Sequence, residues 1–268
     1  MFQEFLASHP VFTTKEATNY LGRHKARSPW TEKALLAYHV KHKHIIRVRR
    51  GLYMTLAPGS APETQPVDPY LLAAKMSDDA VLAYHTALEF HGRAYSAFPR
   101  FHYLTTSNAR PVTFRNNRFE PVRVPRQLRS KHKTDFGVLE RERAGLPVRV
   151  TSFERTLVDA LDRLDLCGGW EEVWRSLESV EFFDLDQVIK YSLLLGNATT
   201  TAKVGFFLEQ HRQTLMVEDS HLRRLRKNRP RGPHYAADRN GKRAVKFLPQ
   251  WNLIVPEHVV ERAWEEVR

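Results

Sequence analysis

Cysteine is almost missing from this sequence: Cys167 is the only one in 268 residues. That excludes an internal disulfide and fits a reducing compartment. The thiol is expected to be buried as a small hydrophobe. Long apolar runs are missing too. No stretch approaches the ~20 residues needed to span a bilayer as a helix, and the opening "MFQEFLASHPVFTT" lacks the basic and apolar regions of a signal peptide. A cytoplasmic protein is therefore expected. Acidic residues are scarce, with 30 Asp and Glu against 42 Lys and Arg and a formal net charge of +12. Such an imbalance speaks of partners rather than fold, and a polyanion is the first partner to consider. Neither the phosphate-loop pattern G-x-x-x-x-G-K-[ST] nor the dinucleotide pattern G-x-G-x-x-G occurs. What remains is 42% apolar and 11% aromatic, a composition that can fold.

The basic excess comes in blocks. Residues 1–60 carry ten Lys/Arg and three acids, residues 100–133 nine and one, and residues 221–250 ten and one. Between the last two, residues 151–190 reverse the sign with ten acids and four bases. The tract "LAPGSAPETQPVDP" holds four prolines and no apolar period, so it reads as an exposed loop or linker. It divides the chain into residues 1–58, a linker at 59–69, and a larger part at 70–268.

The first part reads as three short helices and a hairpin. "FQEFLA" suits a short helix. In "TTKEATNYLG", Thr13 and Glu16 have the spacing of a capping box, and Gly22 stands where a glycine would end the helix. Ser28 and Pro29 suit the N-cap and first turn of the next helix. A turn of 100° per residue puts Leu35, Leu36, Tyr38, His39 and His42 on a core-facing side. Lys33, Ala37, Lys41 and His44 fall near the opposite side, with Trp30 beside them. "IIRVRRGLYMTL" then alternates as a hairpin. Ile46 and Val48 are expected inside, Gly51 at the turn, Arg47 and Arg49 outward, and Arg50 on either side.

Three helices and a hairpin make a winged helix-turn-helix. Its third helix fits the major groove, and arginine forks in the hairpin suit phosphate oxygens. The candidate DNA-binding residues are thus Trp30, Thr31, Lys33, Ala37, Lys41, His44, Arg47, Arg49, Arg50 and Gly51. Winged helices also hold protein partners, so a protein-interaction module is a competing reading.

The rest predicts a mixed α+β domain. Helices are expected at 68–76 and near 78–91, and strands at about 101–106, 111–115, 118–124, 135–139 and 147–150. A helix capped by Ser152 should bury Leu157, Val158 and Leu161. A helical series follows, broken at Gly168–Gly169, near 184–186 and at Gly196–Asn197. A strand near 244–254 and a last helix complete the chain. The fold class is α+β, a winged-helix domain followed by a larger mixed domain.

Chemistry-bearing residues are few. Asp135, Glu154, Asp159 and Lys203 invite a metal-dependent nuclease, which needs carboxylates and a basic group on adjacent strands. Their spacing gives no such arrangement, and Asp159 and Asp162 read as acids on a helix face. His39, His42 and His44 lack a zinc-ligand pattern. His85 and His91 have no serine or cysteine nucleophile beside them. No catalytic residue, metal or cofactor is expected. A nucleic-acid-processing enzyme positioned by a winged helix remains the alternative. Arg223, Arg224, Arg226, Lys227, Arg229 and Arg231 form a candidate second patch for DNA or RNA.

Five stretches, "FTTKEATNYLG", "IIRVRRGLYMT", "LAYHTALEFHG", "VTSFERTLVDALDRLDLCGGWEEVWRSL" and "YSLLLGNATTTAKVGFFLEQ", resemble the AbiEi-type antitoxins of type IV abortive-infection systems. The resemblance runs from about residue 10 to 215. It implies a repressor that binds inverted repeats in its own operon promoter. It also implies an antitoxic C-terminal domain acting against a nucleotidyltransferase-like toxin, without need of a stable complex. On this chain, the helix around Lys33–Lys41 and Arg47, Arg49 and Arg50 would meet operator DNA, and Tyr53 would anchor the returning strand.

Overall fold

The structure is a computed structural model that describes residues 2–24, 29–236 and 244–263. The fold is mixed α+β, as expected, and divides into two compact units. One comprises Met1–Leu82, Pro99–Val122 and Glu140–Arg149; the other comprises Ala83–Phe98, Arg123–Leu139 and Val150–Arg268. Among the described residues, no helix is long and apolar enough to cross a membrane.

The first unit begins with α1 (Phe2–Ser8), β1 (Val11–Thr13), α2 (Thr14–His24), α3 (Pro29–Lys41), β2 (Ile45–Arg49) and β3 (Leu52–Thr55). The capping box forms: the Thr13 amide donates to Glu16 Oε2 at 2.7 Å, and the Glu16 amide donates to Thr13 Oγ1 at 3.2 Å. The helix runs through Gly22 to His24 instead of stopping at the glycine, whose φ is not positive. The proposed cap Ser28 lies outside the described residues. The strand β1, absent from the sequence reading, pairs with β3 and completes a sheet of order β1-β3-β2. Phe2, Phe5, Leu6, Phe12, Ala17, Leu21, Leu36 and Ile45 fill the core, with Leu35 and Tyr53 against it.

Two orientations differ from the sequence reading. Ile45, not Ile46, enters this core. Ile46 pairs with Met54 on the opposite face of the sheet, and a bulge between Arg47 and Arg49 then makes Val48 an extra residue and shifts the alternation beyond it. On α3, the buried stripe is Leu36 and His39, while Tyr38 and His42 are exposed. A core this small covers only a narrow stripe of the helix.

Residues 56–68 form no helix or strand, yet they are tied down. Gln65 accepts from the Ala57 amide at 2.6 Å and donates to the Thr55 carbonyl at 2.9 Å. Arg115 donates to the carbonyls of Pro62 and Gln65. Then α4 (Pro69–Ala74), capped by Asp68, leads to β4 (Val81–Leu82). The helix expected near 78–91 is therefore shorter. Val81 and Leu82 pair with Leu104 and Tyr103 instead, and Asp79 accepts from Thr105 and Thr106. Tyr84, at φ 57°, stops any helix from running through before α5 (His85–Phe90).

The strands β5 (Arg100–Thr105), β6 (Val112–Phe114), β7 (Asn117–Arg123), β8 (Val138–Arg143) and β9 (Leu146–Thr151) join β4 in a sheet of order β6-β7-β5-β4-β9-β8. A short α6 (Arg126–Ser130) lies in the second unit. That unit's main helices are α7 (Phe153–Asp162), α8 (Trp170–Glu178), α9 (Leu185–Leu195), α10 (Ala198–Gln210) and α11 (Asp219–Arg226). Ser152 caps α7, and Leu157, Val158 and Leu161 are buried as expected. Asp184 and Asn197 cap α9 and α10. A three-stranded sheet of order β10-β12-β11 follows, from β10 (His234–Tyr235), β11 (Val245–Leu248) and β12 (Leu253–Pro256). The last helix among the described residues is α12 (Glu257–Glu261). At Gly205 a Cβ would come 2.1 Å from the buried Trp251 ring, so α10 needs glycine there.

Candidate nucleic-acid interface

The interface is built from α3 and the β2–β3 hairpin, which share the core through Leu36 and Ile45. Burying those two leaves the far side of α3 to solvent, while the other face of the hairpin is covered at Leu52 and Met54. Thr31, Lys33, Ala37 and Lys41 are exposed along α3, and Arg47 and Arg50 are exposed on the hairpin. Among the described residues, Lys33, Lys41, Arg47 and Arg50 form no ion pair. Gly51 makes the hairpin turn at φ 80°, where a side chain would strain the backbone. Its carbonyl accepts from the Thr14 amide at 2.9 Å, which fixes the wing to the start of α2. The Trp30 side chain lies outside the described residues.

Two of the expected contacts have internal partners. Arg49 is half-buried and donates to the Met76 and Arg50 carbonyls. Its pairing position opposite Leu52 turns it toward the segment after α4. His44 is half-buried, with its Nδ1 3.0 Å from His39 Nδ1. Burial, with His44 and His42 close by, holds the His39 imidazole below the usual histidine value. The His42 ring sits 4.0 Å from the Tyr38 ring, and its Nδ1 donates to the Tyr38 carbonyl.

Three exposed groups at this surface escaped the sequence reading: Tyr38, His42 and Lys43. Helical phase alone puts Tyr38 and His42 inward. Lys43 sits at φ 55° in the turn joining α3 to β2, where the helical wheel no longer applies. Its position in the run "KHKH" was the available signal.

In the second unit, the basic residues after 220 fall into two groups. Arg224 pairs with Asp186, and Arg226 with Glu209 at 2.6 Å. Arg229 donates to the Gln250 carbonyl. Arg223, Lys227 and Arg231 are exposed and have no carboxylate partner among the described residues.

The titratable groups weighed for catalysis are mostly structural. Asp159 is buried, accepts from Tyr191 at 2.6 Å and pairs with Arg155 at 3.2 Å. Arg155 also donates to the Thr134 and Phe136 carbonyls. Lys203 donates to the Leu161 carbonyl at 2.9 Å, and burial lowers its pKa. Glu154 accepts from the Asp184 amide at 3.3 Å, and the Asp135 carbonyl accepts from Val138. Buried His85 lies 3.0 Å from Glu172, and His91 donates to the Thr151 carbonyl. Burial fills the Cys167 site and pushes its thiol up, as expected of a small hydrophobe. Among the described residues, no group of three or more His, Cys, Asp or Glu could hold a metal ion.

Helices α1 to α3 with a three-stranded sheet and an exposed basic hairpin define a winged helix-turn-helix unit. Residues 1–55 match the family model described as "Transcriptional regulator, AbiEi antitoxin". The family resemblance read from the sequence is thus met over this segment, and the match supports an antitoxin and regulator role. It also suggests a non-enzymatic one. The whole fold is similar to the crystal structure of the RV2827C protein from Mycobacterium tuberculosis. That likeness has a TM-score of 0.62 at 15% identity and covers 98% of this chain and 92% of the other. At that identity the likeness concerns the fold alone. No curated protein matches the chain in sequence.

Proposed function

We propose that the protein is an antitoxin that represses its own operon by binding inverted repeats in the promoter. In this reading residues 1–58 are the DNA-binding domain, 59–69 the linker and 70–268 the antitoxic domain. The observation that carries it is the exposed cationic face of α3 and the hairpin, within the segment that matches the AbiEi family. The N-terminal half of α3 enters the major groove, with Thr31, Lys33 and Ala37 toward the base edges. Lys41, Arg47 and Arg50 take phosphates, joined by Tyr38 and Lys43. Arg49 and His44 hold the wing and helix in position from within. Paired half-sites require two copies of the chain per operator. The counteracted toxin is nucleotidyltransferase-like, needs no stable complex with this chain, and shares its cytoplasmic location.

A gel-shift titration on the chain's own promoter tests the regulator half. Scrambling one repeat should weaken binding by orders of magnitude, because each mismatched base pair costs about 1–3 kcal/mol. Equal binding to scrambled DNA would contradict sequence-specific repression. Co-expression with the product of the adjacent gene tests the antitoxin half: growth should be rescued by the full chain and not by a chain lacking residues 70–268.

A further inference from the structure

His85, the first residue of α5, is fully buried, and both of its ring nitrogens meet carboxylates. Nε2 lies 3.0 Å from Glu172 Oε1 of α8. Nδ1 lies 3.3 Å from Glu89 Oε1, one turn along α5, as an ion pair without hydrogen-bond alignment. An ionised carboxylate only accepts, so each nitrogen needs a proton to be held there. The neutral ring carries one proton and turns a bare nitrogen onto a carboxylate in either tautomer. Burial raises the Glu172 carboxyl, but bonds from the Ser96 amide and His85 outweigh that and hold it below its usual value. The anion therefore stays, and the second ring proton is the part that can leave.

The same carboxylates hold a strap. After α5 the chain turns at Gly92, φ 69°, and runs without helix or strand to Phe98. The Ser96 amide donates to Glu172 at 2.9 Å, and the Phe98 amide donates to Glu89 at 2.7 Å. The Tyr95 amide donates to Ser176 Oγ at 3.0 Å, and that hydroxyl donates to Glu172 at 3.2 Å. The Phe98 ring stacks on the His85 ring at 4.1 Å and lies against Gly168, where a Cβ would come 2.8 Å from it. At the head of α5, Tyr84 stands at φ 57° and ψ −137°, a strained backbone that its surroundings must impose. Charges on the neighbouring elements are engaged elsewhere. Arg155 and Asp159 of α7 pair with each other, Arg163 pairs with Asp165 before Cys167, and Arg175 of α8 pairs with Glu171. Burial keeps the Cys167 thiol, which the His85 amide meets, protonated.

We propose that His85 is the pin of a protonation-controlled latch: its imidazolium, set between Glu89 and Glu172, holds the strap 92–98 closed, and loss of a ring proton opens it. Removing the charge from between two buried anions leaves them uncompensated, which a protein interior tolerates poorly. Admitting water relieves this. The strap is the part free to yield, because His85, Glu89 and Glu172 are fixed in helices. Relaxation of Tyr84 acts in the same direction. The latch is therefore closed on the acid side and opens as pH rises, a histidine-operated switch of the kind that biases a two-state element. It involves no residue of α3 or the hairpin and does not rest on operator binding.

Hydrogen exchange on the full chain tests this, because the two carboxylates hold the Ser96 and Phe98 amides themselves. Their protection, taken relative to an unstructured amide at each pH, should fall about tenfold or more between about pH 5 and about pH 8. The variants Glu89→Gln and Glu172→Gln keep the side-chain shape and an acceptor for the same amides, and each adds an NH2 group that can donate to a bare ring nitrogen. Protection in either variant should stay high and nearly flat over that range. Protection that does not change with pH in the parent would overturn the proposal. So would a pH dependence that survives in both variants, since other groups would then cause it. An equal fall at the buried Ile189 and Phe207 amides would overturn it too, because that marks unfolding of the whole unit rather than opening of the strap.

Discussion

On α3 and the hairpin, Lys33, Lys41, Arg47 and Arg50 stand in solvent without carboxylate partners among the described residues. In the helical body of the second unit, several cations are committed to internal partners. Arg155 is buried on Asp159 and two carbonyls, Lys203 is buried on the Leu161 carbonyl, and Arg224 and Arg226 pair with acids of α9 and α10. The acidic block 151–190 supplies two of these partners, Asp159 and Asp186, and Glu209 beyond it supplies a third. A displayed cation should matter for a polyanion and little for stability. A committed one should do the opposite.

The largest expected effect is Arg155→Ala. It would leave Asp159 buried without its ion pair, and breaking a buried pair costs about 3–5 kcal/mol. Calorimetry should show that loss, whereas Arg47→Ala should change stability by no more than about 0.5 kcal/mol. Comparable losses from the two would break the contrast. Next is Gly205→Ala, where the new methyl must displace the buried Trp251 ring. Overpacking of that kind costs about 1–3 kcal/mol, and a melting temperature equal to the parent's would contradict the packing.

Acid should find two titratable groups of the first unit at different pH. His39 is held below the usual histidine value by burial and by His44 and His42. The unfolded chain therefore binds its proton more readily. This part of the stability is complete above about pH 6.5 and is lost as pH falls through the folded value. The variant His39→Leu should flatten that limb of a denaturation-versus-pH curve. Asp79 acts lower. Burial raises its pKa, but bonds from Thr105 and Thr106 outweigh that and bring it down to about 2. Its contribution is present above the ordinary aspartate value near 3.9 and is lost as pH falls toward 2. The smallest effect is expected at the capping box, where Thr13→Ala should cost about 0.5–2 kcal/mol, read as a shift in urea midpoint.

Much of the wing was legible because its signals are local. A capping box, a 3.6-residue period and an alternating basic hairpin each act within a few residues of sequence. What escaped depended on tertiary context. The phase of β2 against β3 set Ile45 in the core and Ile46 on the Met54 face, and the narrow contact on α3 left Tyr38 and His42 outside. Likewise β1 is three residues long and forms only because β3 lies beside it. The segment 78–91 has helical composition, yet pairing of Val81 and Leu82 with β5 overrides it. At the site, sequence marked Arg49 as equivalent to Arg47 and Arg50. Only the bulged register directs Arg49 to the Met76 carbonyl. The meeting of His85 with Glu172 was illegible because 87 positions of sequence separate them.

The central claim is that α3 and the hairpin hold operator DNA through displayed cations. The direct test is the salt dependence of promoter affinity for the parent chain and for Arg47→Ala with Arg50→Ala. Each lost phosphate contact lowers the slope of log affinity against log salt by about 0.9. The double variant should therefore bind more weakly with a slope reduced by about 2. An unchanged affinity and slope would contradict the assignment of this face to DNA.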